Sequence, residues 1–238
     1  MKHVFLLVGI AFLSLTACEG QKNKATKSSL ATRADSVSYG IGLSIGTNFK
    51  KDDLKEIDAD LLAKGIKDVF KNDSSVMKLP QAQAVIQNFM QEKAKQKAQT
   101  NLEKGKKFLE ENGKKEGVKT LASGLQYQVI KEGTGAKPGL TDQVSVHYHG
   151  TLIDGTVFDS SVQRGQPTAF GCNQVIPGWT EALQLMPVGS KWKLWIPSNL
   201  AYGERSPGGT IGPNETLIFE VELLSIVKPE GQALPGNK

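Results

Sequence analysis

From residue 117 onward, hydrophobic positions alternate with polar ones. Leu125-Gln126-Tyr127-Gln128-Val129, Val144-Ser145-Val146-His147-Tyr148, Trp192-Lys193-Leu194-Trp195-Ile196 and Leu217-Ile218-Phe219-Glu220-Val221-Glu222-Leu223 each predict a strand with one face in a core. Gly133-Thr134-Gly135 and Asp154-Gly155 supply turns between them, and one short helical piece over residues 179–185 interrupts the strands. Upstream the period lengthens to three and four. Val37, Ile41, Ile45 and Phe49, then Leu61, Leu62, Ile66, Val69 and Phe70, predict two helices broken around residues 50–58. A third helix is predicted over residues 81–112, with Pro80 suited to its first turn. Its apolar residues sit toward the ends, at Val85, Ile86, Phe89 and Met90, then Leu102, Phe108 and Leu109, and residues 91–100 have only alanines for apolar content. At 1.5 Å per residue such a helix runs on the order of 45 Å, and a polar waist predicts a solvent-bridging connector. The fold class is α+β: a helical N-terminal region, a long connecting helix, and a C-terminal antiparallel sheet wrapped on a short helix.

The first residues read as an address rather than as part of the fold. Lys2 precedes an apolar run over residues 4–15 that is too short to span a bilayer, which predicts a secretory signal peptide. Leu15-Thr16-Ala17-Cys18 resembles a bacterial lipobox, which implies acylation of Cys18 as the mature N-terminus. Two or three acyl chains, at about 0.8 kcal/mol per buried methylene, make a durable anchor. The expected organisation is then a signal peptide at 1–17, a polar tether at 18–33, a helical dimerisation region at 34–80, the connecting helix at 81–116, the sheet domain at 117–227 and a flexible tail at 228–238. Acylation leaves Cys172 as the only free thiol, so no intramolecular disulfide is expected. The net charge of +5 is spread among interspersed acids and bases, which argues against a nucleic-acid partner.

Five motifs in order carry a more specific message. Val146-His147-Tyr148-His149-Gly150-Thr151-Leu152, Gly155-Thr156-Val157-Phe158-Asp159-Ser160-Ser161 and Val175-Ile176-Pro177-Gly178-Trp179 are followed by Ile196-Pro197-Ser198-Asn199-Leu200-Ala201-Tyr202-Gly203 and Leu217-Ile218-Phe219. Together they resemble the FKBP-type peptidyl-prolyl cis-trans isomerase domain over roughly 110 residues. With the lipobox, the helical N-terminus and the long helix, the chain is similar to the family's Mip and FkpA branch of exported, V-shaped bacterial dimers. The resemblance implies an FKBP-like fold and a proline pocket lined by Tyr148, Phe158, Asp159, Val175, Ile176, Trp179, Tyr202 and Phe219, with Phe170 beside them and Arg164 supporting Asp159. It implies no cofactor and no metal, proline-containing polypeptide clients, and a lipid-anchored place in the cell envelope; Glu19 rather than Asp after Cys18 gives no strong retention signal, so the expected place is the outer membrane, facing the periplasm. The sequence departs from the family pattern at Thr168-Ala169 after Pro167 and at Gln174. Residues 204–213 resemble the branch's long flap, with Ile211 expected against substrate.

The chemistry agrees. Amide resonance sets a rotational barrier of about 18–20 kcal/mol, and no bond must break to cross it. The reaction needs a dry aromatic cup in which the charge-separated planar amide loses more hydration than the twisted one. Trp179 is the expected floor, Tyr148, Phe158 and Phe219 the walls, and the Ile176 N–H and Tyr202 hydroxyl the donors to a substrate carbonyl. Other readings carry less. Gly42-Leu43-Ser44-Ile45-Gly46 matches a hydrolase nucleophile pattern, and Gly40 and Gly42 the start of a dinucleotide motif, but both lie in a helical stretch without the strand each needs. His147 and His149 share one strand face opposite Tyr148, without a third histidine in the mature chain to complete a metal site. The rival class is a holdase-type chaperone that binds unfolded chains in a dimer cleft, with isomerase activity auxiliary.

Overall fold

The structure, a computed structural model, describes residues 30–73 and 76–227. The expected signal peptide, Cys18, most of the tether and the tail lie outside those residues. The chain divides into two compact units between residues 76 and 77.

The first unit holds helices α1 (Arg33–Lys51) and α2 (Ala59–Phe70). Thr32 caps α1: its hydroxyl accepts from the Asp35 N–H, and the Asp35 carboxylate accepts from the Thr32 N–H at 2.8 Å. This reciprocal capping box starts the helix two residues before Asp35, so Arg33, placed in the tether by the sequence, is already helical. Asp58 caps α2 by accepting from the Asp60 and Leu61 N–H groups. Residues 42–46 lie inside α1, with no strand before them among the described residues. Neither helix buries a residue within the chain, and Phe70 is 84% exposed. Among the described residues no helix is long and apolar enough to cross a membrane.

The second unit begins with α3 (Leu79–Asn112), with Pro80 in its first turn. Seven strands follow: β1 (Lys119–Thr120), β2 (Gln126–Lys131), β3 (Gln143–Thr151), β4 (Val157–Ser160), β5 (Thr168–Gly171), β6 (Lys191–Ile196) and β7 (Leu217–Val227). Helix α4 (Ser161–Arg164) separates β4 from β5, α5 (Pro177–Leu185) precedes β6, and a 3-10 turn covers Ser198–Leu200. The sheet is antiparallel with order β1-β2-β6-β7-β3-β4. β5 pairs with residues 143–146 of β3 and β4 with residues 149–151, so the two share one edge of β3 and α4 is an excursion between them.

The alternation resolves as the sequence predicts. Val144, Val146 and Tyr148 of β3, Trp192, Leu194 and Ile196 of β6, and Leu217, Phe219, Val221 and Leu223 of β7 are buried. They pack with Trp179, Ala182 and Leu183 of α5, while the positions between them on β3 and β7 are less buried. Burying each large side chain contributes roughly 1.5–3 kcal/mol. Cys172 is buried in this core, and burial pushes its thiol up, away from the reactive thiolate form.

Helix α3 departs from the expected connector. Its C-terminal half packs on the sheet domain. Gly105 and Asn112 are buried, the Asn112 amide donates to the Gln126 side-chain oxygen at 3.0 Å, and the Gln126 amide donates to the Leu109 carbonyl at 2.8 Å. The fully buried positions of this half are a glycine and an asparagine, with Leu102, Phe108 and Leu109 only half-buried beside them, so hydrophobic periodicity is a weak guide to the docking.

Candidate active site

Between the concave face of the sheet, α5 and the loop after the 3-10 turn lies a cavity of about 660 Å³. Tyr148 reaches it from β3, Phe158 and Asp159 from β4, Phe170 from β5 and Phe219 from β7. Val175 and Ile176 enter just before α5, Trp179 from its first turn, and Tyr202 and Ile211 from the loop ahead of β7. Every residue expected to line the pocket is therefore at one cavity. Gln174, Pro207 and Gly208 also line it. The sequence marks Gln174 only as a departure from the family pattern, and Pro207 and Gly208 only as part of the flap. A Pro-Gly-Gly turn signals a loop but not what the loop faces.

The aromatic rings meet edge to face. Trp179 and Phe219 lie 5.2 Å apart at 80°, Phe158 and Phe219 5.3 Å at 83°, Tyr148 and Trp179 5.5 Å at 83°, and Phe170 and Trp179 5.6 Å at 80°. These geometries place positive ring edges on negative faces, and each pair adds about 0.5–1.5 kcal/mol beyond area burial. Trp179, Tyr148 and Phe219 are buried, whereas Tyr202 is 41% exposed at the rim. Among the described residues the Ile176 N–H, at the N-cap of α5, has no backbone acceptor.

Arg164 does not line the cavity but stands behind its polar edge. The Tyr148 hydroxyl donates to Asp159 Oδ2 at 2.5 Å, and Arg164 Nη2 donates to that hydroxyl at 2.7 Å. Arg164 Nη1 ion-pairs with Asp159 Oδ1, and the guanidinium lies 5.5 Å from the Tyr148 ring centroid. Burial pushes the Asp159 carboxyl up, but the Tyr148 and Arg164 hydrogen bonds outweigh it and hold the group below its ordinary value. The Tyr148 phenol moves the other way, raised by burial and by its bond to Asp159. The result is a fixed anion and a fixed neutral donor.

On the opposite face of β3, His147 Nδ1 lies 3.2 Å from Ser161 Oγ and His149 Nδ1 3.0 Å from Ser160 Oγ. Ser161 Oγ also accepts from the Tyr148 N–H at 2.7 Å. Both histidines thus hold the β4–α4 turn, and among the described residues no cluster suited to a metal ion forms.

Comparison with known proteins carries the same geometry to a family. The model for the FKBP-type peptidyl-prolyl cis-trans isomerase matches residues 134–224, and that for the domain amino terminal to it matches residues 34–129. The chain is 49% identical to the Outer membrane protein MIP of Legionella longbeachae, over 84% of this chain and 88% of that protein. It is 46% identical to the FKBP-type peptidyl-prolyl cis-trans isomerase FkpA of Aeromonas hydrophila, over 95% of this chain and 94% of that one. Among solved structures, FkpA from Escherichia coli superposes with a TM-score of 0.62 at 39% identity, covering 82% of this chain and 97% of that chain. The chain belongs to the FKBP-type peptidyl-prolyl cis-trans isomerases, and its reaction is rotation about X-Pro peptide bonds.

Proposed function

We propose that the aromatic cavity is the site of that rotation. The substrate pyrrolidine ring rests on Trp179, between Tyr148, Phe158 and Phe219, with Val175 and Phe170 completing the apolar wall. The Ile176 N–H and the Tyr202 hydroxyl hold the substrate carbonyl, each for roughly 1 kcal/mol net. Water leaves as the ring enters, and the planar amide, which carries more charge on oxygen, loses more hydration than the twisted one. Asp159 and Arg164 fix the Tyr148 edge of the wall and take no proton. The observation that carries this reading is the cavity itself, in which Asp159 is the only carboxylate among the described lining residues and no histidine occurs.

The pH profile tests it. Asp159 has a lowered carboxyl in the folded state, so its stabilising contribution is complete above the unfolded value of about 3.9 and is lost as pH falls through the still lower folded one. kcat/KM for a short X-Pro peptide is therefore expected to stay level from about pH 5 to pH 9 and to fall only in acid. An inflection at about 6.5 would bring an imidazole into the reaction and sink the proposed mechanism.

The chain acts on exported polypeptides as a lipid-anchored homodimer in the bacterial envelope, held through Cys18 at the outer membrane and facing the periplasm. The exposed apolar side chains of α1 and α2, among them Ile41, Leu61, Val69 and Phe70, support a second copy as their cover. The same faces favour the second reading, a holdase cleft for unfolded chains. One series separates these claims. A Cys18→Ser chain should leave the membrane fraction and sediment as a dimer at micromolar concentration, and Leu61→Glu with Phe70→Glu should make it a monomer with an unchanged peptide rate. Faster refolding of a proline-limited protein by the dimer than by the monomer would assign client capture to the helical region. A monomeric Cys18→Ser chain would defeat the dimer.

A further inference from the structure

The loop from Gly203 to Asn214 closes one side of the cavity, and its hydrogen bonds define it as a flap. The Asn214 N–H donates to the Gly203 carbonyl at 2.7 Å and shuts the neck. Near the tip, the Gly208 N–H donates to Ser206 Oγ at 3.0 Å, Ser206 Oγ donates to the Ile211 carbonyl, and Gly208 bridges Ile211. Pro207, Gly208 and Ile211 face the cavity. The flap is thus tied within itself, and its returning limb is tied to something else.

That limb lies along α3. The Asn101 amide donates to the Pro213 carbonyl at 2.8 Å, and the Asn214 amide donates to the Ala98 carbonyl at 3.4 Å. A Cβ on Gly212 would meet Asn101 Nδ2 and Lys97 Cε, each at 3.2 Å. A Cβ on Gly105 would fall on Thr216 Oγ1, and Thr216 is buried. Ala98, Asn101 and Gly105 are spaced three and four apart, so they form one stripe of the helix, which meets Asn214, then Gly212 and Pro213, then Thr216. Beside the stripe, burial pushes the Glu215 carboxyl up against the pull of Lys97 and Lys104.

We propose that α3 is part of the peptide site: Asn101 is a positioning residue that sets the flap through the Pro213 carbonyl, and Gly105 lets the helix come close enough to do so. This rests on reading the cavity as the site where peptide binds. The helix then sets the pocket's open wall, and a flap cut loose from it offers Ile211 and Pro207 to substrate for only part of the time. Affinity falls, while bound substrate rotates as before because Trp179, Tyr148 and Phe219 stand on the sheet and α5.

The test uses the full chain and a short X-Pro peptide. Loss of one neutral hydrogen bond in Asn101→Ala should raise KM about three- to ten-fold with kcat within about two-fold. Amide hydrogen exchange should quicken across residues 204–212 and stay unchanged in β3 and β7. Gly105→Ala should act likewise, and adding Thr216→Ala, which removes the obstructing hydroxyl, should bring KM back toward that of the parent chain. Ile211→Ala controls for the cavity reading and should itself raise KM. If Ile211→Ala raises KM and Asn101→Ala does not, the proposal is overturned and the cavity stands. If Ile211→Ala leaves KM unchanged, the reading of the cavity fails and takes the proposal with it. If Asn101→Ala instead lowers kcat and speeds exchange throughout the sheet, its role is structural and the proposal is again overturned.

Discussion

Asp159→Ala is expected to lower kcat/KM for a short X-Pro peptide by about 10- to 100-fold, corresponding to the roughly 1.5–3 kcal/mol of hydrogen bonds to a charged group. Asp159 accepts from the Tyr148 hydroxyl at 2.5 Å and pairs with Arg164, and the same guanidinium donates to that hydroxyl at 2.7 Å. Removing the carboxylate leaves Arg164 with the phenol and a 3.4 Å contact to the Thr168 hydroxyl, and takes away the acceptor that fixes the phenol proton, so the wall opposite Trp179 loses its fixed edge. The group is partly exposed, with Asp159 and Arg164 side chains 44% and 43% accessible, so solvent screens much of the pair's contribution to folding. The effect therefore belongs to catalysis more than to stability. Thermal midpoints within a few degrees of the parent, with the rate down at least ten-fold, are the expected pattern. Asp159→Asn sharpens it: the shape remains and the anion goes. A rate for Asp159→Asn equal to the parent's would remove the charge from the argument and leave only its shape.

Legibility in the sequence tracked the physical origin of each feature. β3 and β7 announced themselves because one face of each is buried and the other less so, and a period of two follows directly; β6 keeps that alternation over Lys191–Leu194 and then buries Trp195 on its other face as well. The pocket was legible through ordered motifs rather than through any single residue, since an isolated Phe158 or Phe219 reads as core. β4 and β5 escaped strand assignment because each has four residues, and α4 stands between them. The Thr32 cap is written in the sequence as a Thr followed by Asp three positions on, whereas the apolar periodicity of α1 begins only at Val37. The docking of α3 was the largest omission. Its polar contacts include an amide to a carbonyl at Asn101, a buried amide at Asn112 and a carbonyl accepting at Leu109, with a close approach at Gly105, and none of these depends on an apolar side chain. The polar waist at residues 91–100 is largely exposed, and these contacts fall beyond it. A glycine inside a strong helix former's sequence was the one available signal, because Gly there costs roughly 1 kcal/mol relative to Ala and so asks for a packing reason.

Gly150→Ala should cripple both stability and turnover, and the reason lies in how the pocket is built. Gly150 sits on β3 opposite Asp159 of β4 and Phe219 of β7. A Cβ there would stand 2.7 Å from Phe158 Cε2 and Cζ and 2.9 Å from Phe219 Cε1. Neither ring can yield by a simple rotation, because Phe219 is also edge-on to Trp179 and Phe158 is edge-on to Phe219. Both must shift together, and the free space they have is the cavity. Overpacking of this kind costs about 1–3 kcal/mol, or roughly 2–4 °C of Tm per kcal/mol at this chain length. The same displacement fills the space meant for proline, so kcat/KM should fall more than about ten-fold, by a margin the stability loss alone does not explain. Gly139→Ala is the matched control, since its Cβ would come no closer than 3.5 Å to the Asp142 carboxylate and its backbone is not left-handed. Gly150→Ala with Phe158→Leu separates the two effects. The smaller side chain makes room for the methyl and should restore most of the Tm, while the missing ring leaves the wall incomplete and the rate low. A double variant that regains both Tm and rate would show that Phe158 is dispensable as a wall, and that at this position the cavity needs volume rather than an aromatic surface.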